Sequence, residues 1–371
     1  NIGKIALLSL ALCGGTTSCN YLDVVPPEQA SLPDATKDPE STLGFLFSCY
    51  GGIRNPFDYQ TVEAGADEYV LPPLWNTGSQ KITWDLNLPT NIADGWSWGS
   101  NYRFIGQCLL FLQQLPHARG VTDEQKRAWA AEANFLLAYY HMVTLVAYGP
   151  CPITDTYIDQ ATPESEYNGR MHFDYVKDWI CQKFDEVCED GQLPATRTGD
   201  EWGRATSVMA KALKARLLVY AASPLFNGSF PYKDWENTNF ETPGYGKELI
   251  SLKYDRKKWE VAKAACQEAI TAAEAAGHKL FSLEDAQSLY QQAGLPLPFV
   301  PFKSAEGGTA DKDKEFMERV QLMRYVVTTR YKEGNRETIW GLANQGTMII
   351  GSLPHRVIKN NQGTWKAGYS G

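Results

Sequence analysis

An α-helical fold with long loops and only a few short strands is what this chain of 371 residues predicts. Six stretches carry helix-capping signals or apolar residues at three- and four-residue intervals. Strand signals are short and late, at 339–342 and 348–350. Hydrophobic residues make up 43% and charged residues 21%, a composition that builds a core in a chain of this length.

The first helix opens at Asp38-Pro39, an N-cap followed by Pro at the first helical position, and runs to about Tyr50. Ser100 is the expected cap of the next. It carries Ile105, Cys108, Leu109 and Leu112 on one face and stops at Pro116. Thr122-Asp123-Glu124-Gln125 has the form of a capping box and starts a helix with Trp129, Ala133, Leu136, Tyr140 and Val143 in register, ending at Gly149-Pro150. A fourth spans 173–188 through Val176, Ile180, Phe184 and Val187. Thr206 caps a fifth, with Met209, Ala212, Arg216, Val219 and Ala222 as its expected face and Ser223-Pro224 as its stop. Asp255 begins a sixth, where Trp259, Ala262, Ala265, Ala269 and Ala273 precede Gly277. Its small residues let a neighbouring helix approach closely, as in tetratricopeptide pairs, although no period of 34 recurs. Trp129 and Trp259 are both expected in the core.

Ahead of the helices, Lys4 precedes an apolar run from Ile5 to Cys13, too short to span a bilayer. A charged start, a short apolar core and then small residues describe a cleavable signal peptide, 1–18. Thr16-Thr17-Ser18-Cys19 resembles a bacterial lipobox, with Thr16 where Leu is usual, so Cys19 is the expected lipidated residue. An anchor of several acyl chains would hold the protein on a membrane that it does not cross. Residues 19–37 are expected as an extended tether, since Pro26, Pro27 and Pro33 oppose a helix. The remainder, 38–371, is read as one helical domain with loop insertions. The chain begins on Asn1 rather than Met, so preceding residues are expected to be missing.

A formal charge of −8 argues against nucleic acid or an anionic membrane surface as a partner. Five His and eight Cys show no zinc-type spacing and no CxxC pair, so no metal and no cofactor is expected. Cys181 and Cys188 are seven residues apart on one helix, roughly 10 Å along its axis, and do not bridge. The cysteines read as buried free thiols. No P-loop, dinucleotide fingerprint, HExxH or completed GxSxG occurs. Two carboxylates suffice for a glycosidase, but none of the 43 acidic residues is singled out by its context.

Aromatic residues reach 12% of the chain. The insertion 54–100 holds Trp75, Trp84, Trp96 and Trp98 beside Asn76, Gln80 and Asp85. Flat indole and phenol faces pack against the C–H faces of pyranose rings, and amides bond their hydroxyls. Trp96 and Trp98, just before a helix, are expected to staple it to the body.

Several segments carry a resemblance: Cys19-Asn20-Tyr21-Leu22-Asp23 with Pro26; Ala66-Asp67-Glu68; and Ala131-Glu132-Ala133-Asn134-Phe135-Leu136 with Ala138-Tyr139-Tyr140. Tyr148-Gly149-Pro150-Cys151-Pro152, Arg204-Ala205-Thr206, Ala210-Lys211-Ala212-Leu213, Ala215-Arg216 and Ala221-Ala222-Ser223-Pro224-Leu225-Phe226-Asn227-Gly228 follow. Asn335 with Glu337, Ile339 and Trp340 completes the series. In this order they resemble the SusD/RagB family of surface glycan-binding lipoproteins of Bacteroidetes, with Leu137 where the family commonly has Arg.

The resemblance implies a SusD-like superhelix of tetratricopeptide-like helix pairs, lipid-anchored in the outer membrane and exposed at the cell surface. It implies capture of oligo- or polysaccharide, or sometimes peptide, for a SusC-like TonB-dependent transporter, and no catalysis. It also implies a further C-terminal portion beyond Gly371. The family's binding loop follows the matched Asp67-Glu68, which nominates Trp75 and Asn76, with Trp84 beyond. Trp365 and Tyr369 lie where related proteins place further ligand contacts. Two other functions stay open from the residues: a purely peptide- or protein-binding tetratricopeptide scaffold and, more remotely, a secreted glycoside hydrolase.

Overall fold

The computed structural model describes residues 32–53, 81, 88, 98–159, 161–292, 294, seven positions between 316 and 326, and 329–341, together with the backbone of 356–359 and 365–368. The elements are helices α1 (Pro39–Tyr50), α2 (Trp98–Gln114), α3 (Asp123–Tyr148), α4 (Phe173–Glu186), α5 (Ser207–Ala222), α6 (Arg256–Ala275) and α7 (Leu283–Gln292), then strands β1 (Arg356–Lys359) and β2 (Trp365–Gly368).

The expected caps are in place. Asp38 Oδ1 accepts from the Ser41 N–H at 2.7 Å, Thr206 Oγ1 from Met209 at 3.2 Å and Asp255 Oδ1 from Lys257 at 2.8 Å. Thr122 and Gln125 exchange both bonds of a capping box. At α2 the expectation fails: the helix begins at Trp98, and Ser100 lies inside it. Before α1 the chain forms a 3₁₀ helix, Leu32–Thr36. The Thr36 carbonyl accepts from the Arg119 N–H at 3.0 Å, so the stretch from residue 32 is part of the body rather than a tether. Pro33, with its fixed φ, suits a tight helix start.

Successive helices run antiparallel. Phe45 meets Phe111 edge-on at 5.3 Å, while the Cys49 thiol, one turn further along α1, donates to the Gln107 carbonyl, one turn back on α2. Trp98 faces Tyr148 and Phe104 faces Tyr140 between α2 and α3. Phe135 faces Phe184, and His141 faces Trp179, between α3 and α4. Lys214 reaches Asp185 and the Cys188 thiol reaches the Ser207 carbonyl between α4 and α5. Lys211 pairs with Glu268 while Asn227, beyond α5, binds Asp255, ahead of α6. The C-terminal ends of α1, α3 and α5 and the N-terminal ends of α2, α4 and α6 therefore all lie towards one end of the bundle. The connections 115–122, 187–206 and 276–282 lie at the other end.

α3 is the central element. Ala131 to Ala138 is buried on every side except at Asn134, as expected of a helix surrounded by others. α5 is packed on two sides, so its buried set is Val208, Met209, Ala210, Ala215, Leu217, Leu218, Ala221 and Ala222. Arg216 and Val219, expected on the inner face, point outward. α6 buries its four expected alanines. Trp259, however, is 40% exposed, whereas Trp129 is in the core as expected. In line with Ala262, Ala265 and Ala269 at helical spacing stands Lys258, not Trp259. Its ammonium reaches inward to Asp174 and to the Phe226 carbonyl.

α7 was not expected. Its start carries a local signal, Ser282-Leu283-Glu284-Asp285, in which Ser282 and Asp285 cap one another. Phe281 and Ala286 form a second, small core with Leu289, Leu322 and Val326. Residues 339 and 340 are a bend rather than the start of a strand, and 348–350 lies outside the described residues. The strands that do form, β1 and β2, pair antiparallel with Arg356 opposite Gly368 and Lys359 opposite Trp365. Cys49, Cys108, Cys151 and Cys181 are buried free thiols, and Cys188 and Cys266 are free and half-buried.

Candidate functional site

Of the residues nominated from sequence, Cys19, Trp75, Asn76, Trp84 and Tyr369 lie outside the described residues, and so does Trp96. Trp365 opens β2, where the backbone alone is described. What the structure builds is the frame from which the segment 54–97 departs and to which it returns.

Departure is at Gly51-Gly52-Ile53, beyond the end of α1. The Phe104 ring stacks on Tyr140 at 5.6 Å, and the Tyr140 hydroxyl donates to the Cys49 carbonyl at 2.6 Å. Gly52 fits against both rings: a Cβ there would come within 2.3 Å of Phe104 and 2.8 Å of the Tyr140 hydroxyl. Return is at Trp98, six residues before Phe104 on α2, hence about 9 Å further along the axis.

Trp98 is held from several sides, as expected of a staple. Its N–H donates to the Tyr148 hydroxyl at 3.1 Å, and its ring lies against Tyr102 and Tyr148. The Arg170 guanidinium sits 4.8 Å over the indole and donates to the Tyr148 and Pro150 carbonyls, covering the end of α3. Tyr102 donates to the Pro152 carbonyl at 2.7 Å, and burial raises its phenol far above the usual range.

Beside it, His141 is fully buried. Its Nδ1 faces the Leu137 carbonyl at 2.8 Å and its Nε2 accepts from the Thr154 N–H at 3.1 Å, which fixes a neutral ring with the proton on Nδ1. Burial pushes its pKa down to about 4, against the opposite pulls of the Leu137 carbonyl and Asp155.

The segments 149–172 and 223–255 close over this corner together. Asn237 donates to the Arg170 carbonyl at 2.6 Å, and Thr242 Oγ1 accepts from the His172 N–H. The His172 ring stacks on Tyr245 at 3.8 Å, and burial likewise lowers its pKa to about 4. Asn227 binds Asp255 through both its amide nitrogen and its amide oxygen.

Lower in the bundle, the Glu132 carboxylate, with no exposed surface, accepts from Tyr50 at 2.6 Å, Arg197 at 2.9 Å and Arg204 at 3.0 and 2.5 Å. The Tyr50 hydroxyl in turn accepts from the Ala205 N–H. Burial, and next the Glu132 charge, hold its phenol well above the usual range. Trp340 donates to the Gly203 carbonyl at 3.0 Å and packs edge-on against Phe135 and Tyr139. Docking of this indole occupies the segment that was expected to be a strand.

No family model and no curated protein matches this chain. Solved structures do. BT4246 is 50% identical over 90% of this chain and 55% of its own, with a TM-score of 0.78; its selenomethionine form gives 0.75. A SusD-like protein from Bacteroides fragilis NCTC 9343 shares the fold at 18% identity over 70% of this chain and 44% of its own, with a TM-score of 0.51. The order of the sequence motifs, the helix-rich bundle and this likeness agree on one architecture.

The fold is SusD-like.

The chain spans about half the length of these structures. The motifs that signalled a SusD-like chain prove to be mutual contacts: Glu132 with Arg204, Phe135 and Tyr139 with Trp340, and Asn227 with the cap of α6. Asn335 likewise is buried, donating to the Val326 and Thr329 carbonyls and accepting from the Glu337 N–H. These residues hold the scaffold together. Among the described residues no group of three His, Cys, Asp or Glu side chains is arranged to hold a metal ion. No described helix is long and apolar enough to cross a membrane.

Proposed function

We propose that this chain is part of a surface glycan-binding lipoprotein that captures oligo- or polysaccharide and passes it to a SusC-like TonB-dependent transporter. Its anchor is a lipid on Cys19, placing the body outside the outer membrane, and it performs no chemistry on the ligand. The observation that supports the reading is a SusD-like bundle in which the helix ends bordering the long, aromatic-rich segments all lie towards one end. Trp75, Asn76 and Trp84 belong to the segment rooted between Ile53 and Trp98, and Trp365 and Tyr369 to the C-terminal hairpin region. The glycan would lie across indole and phenol faces, with Asn76 bonding its hydroxyls. Weak binding suffices, because holding ligand above a transporter raises its local concentration.

The test is gel retardation of the form lacking the first 19 residues in a panel of polysaccharides of different linkage. At least one polymer is expected to retard the protein, and Trp75→Ala or Trp365→Ala to relieve that retardation. Insensitivity of every ligand interaction to these changes would favour the protein-binding scaffold, and release of reducing sugar would favour a hydrolase. In cells, Cys19→Ala should move the protein out of the membrane fraction.

A further inference from the structure

An aromatic belt at the loop end is built from residues other than those nominated from the sequence. It starts at Trp98, between Tyr148 and the Arg170 guanidinium. The next residue of that corner, Gly149, has φ +69°, and a Cβ there would touch the Trp235 indole at 3.5 Å. Trp235 stacks nearly parallel on Phe230 at 5.5 Å, and Phe230 meets the Tyr232 ring at 5.7 Å. Inward, Phe230 stacks on Phe226 at 6.3 Å and Phe226 on the buried Phe173 at 4.1 Å. Tyr232 is thus the outermost ring of a stack rooted in the core.

That ring is 68% exposed. A tyrosine at a loop tip normally loses side-chain and backbone freedom on capturing a ligand. Here Pro231 restricts the preceding backbone and Phe230 supports the ring, so much of that ordering exists beforehand. Lys233 and Asp234 follow, both exposed, offering a donor and an acceptor beside a flat face.

We propose that Tyr232 is the platform of a second, peripheral carbohydrate subsite. It takes one pyranose ring of a chain whose other units occupy the main site, with Lys233 and Asp234 bonding hydroxyls at its edge. The inference rests on the glycan reading above and adds chain length as a determinant of affinity. A subsite of this kind strengthens only a ligand long enough to engage both places.

The experiment is calorimetric titration of the whole lipid-anchored protein in detergent, using a polysaccharide that retards it and a trisaccharide of the same linkage. Tyr232→Ala should weaken polymer binding about three- to tenfold, the worth of one aromatic contact, and leave trisaccharide binding unchanged. Tyr232→Phe keeps the ring and should stay within about twofold of the parent. Because Tyr232 is exposed, neither change should shift the melting temperature. Polymer binding unaffected by Tyr232→Ala, or weakened equally for polymer and trisaccharide, would overturn the subsite and leave the glycan reading standing. Failure of the parent protein to bind any polysaccharide would overturn both.

Discussion

In the lower half of the bundle, one carboxylate, Glu132, gathers a phenol and two guanidinium groups from segments 65 and more residues away in sequence. At the loop end the connections are of another kind: rings stacked on rings, and side chains bonded to the carbonyls of loop backbone. The first arrangement tolerates no exchange of partners, since each charge is fixed by several directed bonds. The second constrains the backbone that leads into a loop while leaving the residues further out free to differ. A binding scaffold gains from that division, because ligand specificity can change without disturbing what holds the helices together.

Breaking the lower joint should have the largest effect. Glu132→Ala leaves Arg197 and Arg204, whose side chains are 7% and 13% exposed, without their main anionic partner. Removing one partner of a buried ion pair costs about 3–5 kcal/mol, and here one carboxylate serves two cations. Urea denaturation should show that loss, and Tyr50→Phe should cost less, about 2 kcal/mol, because it gives up a bond to the carboxylate and the partner of the Ala205 N–H while the charges stay paired. Equal losses for the two variants would mean that the joint is not organised around the carboxylate.

The contrast also explains how far the sequence could be read. Caps are local: Asp38, Thr122, Thr206 and Asp255 each act on an N–H two or three residues away, so spacing alone located four of the helix starts. The inner face of α6 was legible in its alanines, but the large apolar residue nearest them, Trp259, drew attention from Lys258, which stands in their line and reaches Asp174. α5, packed from two sides, has no single stripe to find. Glu132 and Arg204 were recognisable as motif residues, yet nothing in either segment says that they meet across 72 positions. The expectation for 339–342 failed because Trp340 is used for docking against α3 rather than in a ladder. Loop residues carry the least periodic information of all, so resemblance rather than pattern nominated Trp75, Asn76, Trp84, Trp365 and Tyr369.

Acid should sharpen the difference between the two regions by striking the loop end. His141 has a folded-state pKa near 4 against about 6.5 when unfolded. Between these values the unfolded chain binds a proton that the folded one refuses, so stability is full above about 6.5 and falls as the pH drops towards 4. For His141 alone the loss is on the order of 3 kcal/mol. Protonation would place an Nε2 proton against the Thr154 N–H, forcing two donors together. His172, stacked on Tyr245 and also near 4, adds in the same direction. Hydrogen exchange at decreasing pH should therefore show 150–172 and 235–249 opening before α3 and α5. Imidazole resonances of His141 titrating near 6.5 in the folded protein would defeat this account.

The smallest change expected to register lies where the two regions meet, at the departure of the segment 54–97. Gly52→Ala puts a methyl group within 2.3 Å of Phe104 and 2.8 Å of the Tyr140 hydroxyl. Phe104 cannot swing away without leaving its stack on Tyr140, and Tyr140 cannot move without giving up the Cys49 carbonyl. Overpacking of this kind costs about 1–3 kcal/mol, less than loss of the Glu132 carboxylate because the strain can be shared between a ring and a chain end. The same shift would re-aim the backbone at Ile53, so glycan affinity should fall along with stability. A Tyr140→Phe variant separates the two effects. It loses the bond to Cys49, worth about 1 kcal/mol, but leaves Gly52 and the path of the departing chain as they are, so its glycan affinity should match the parent's.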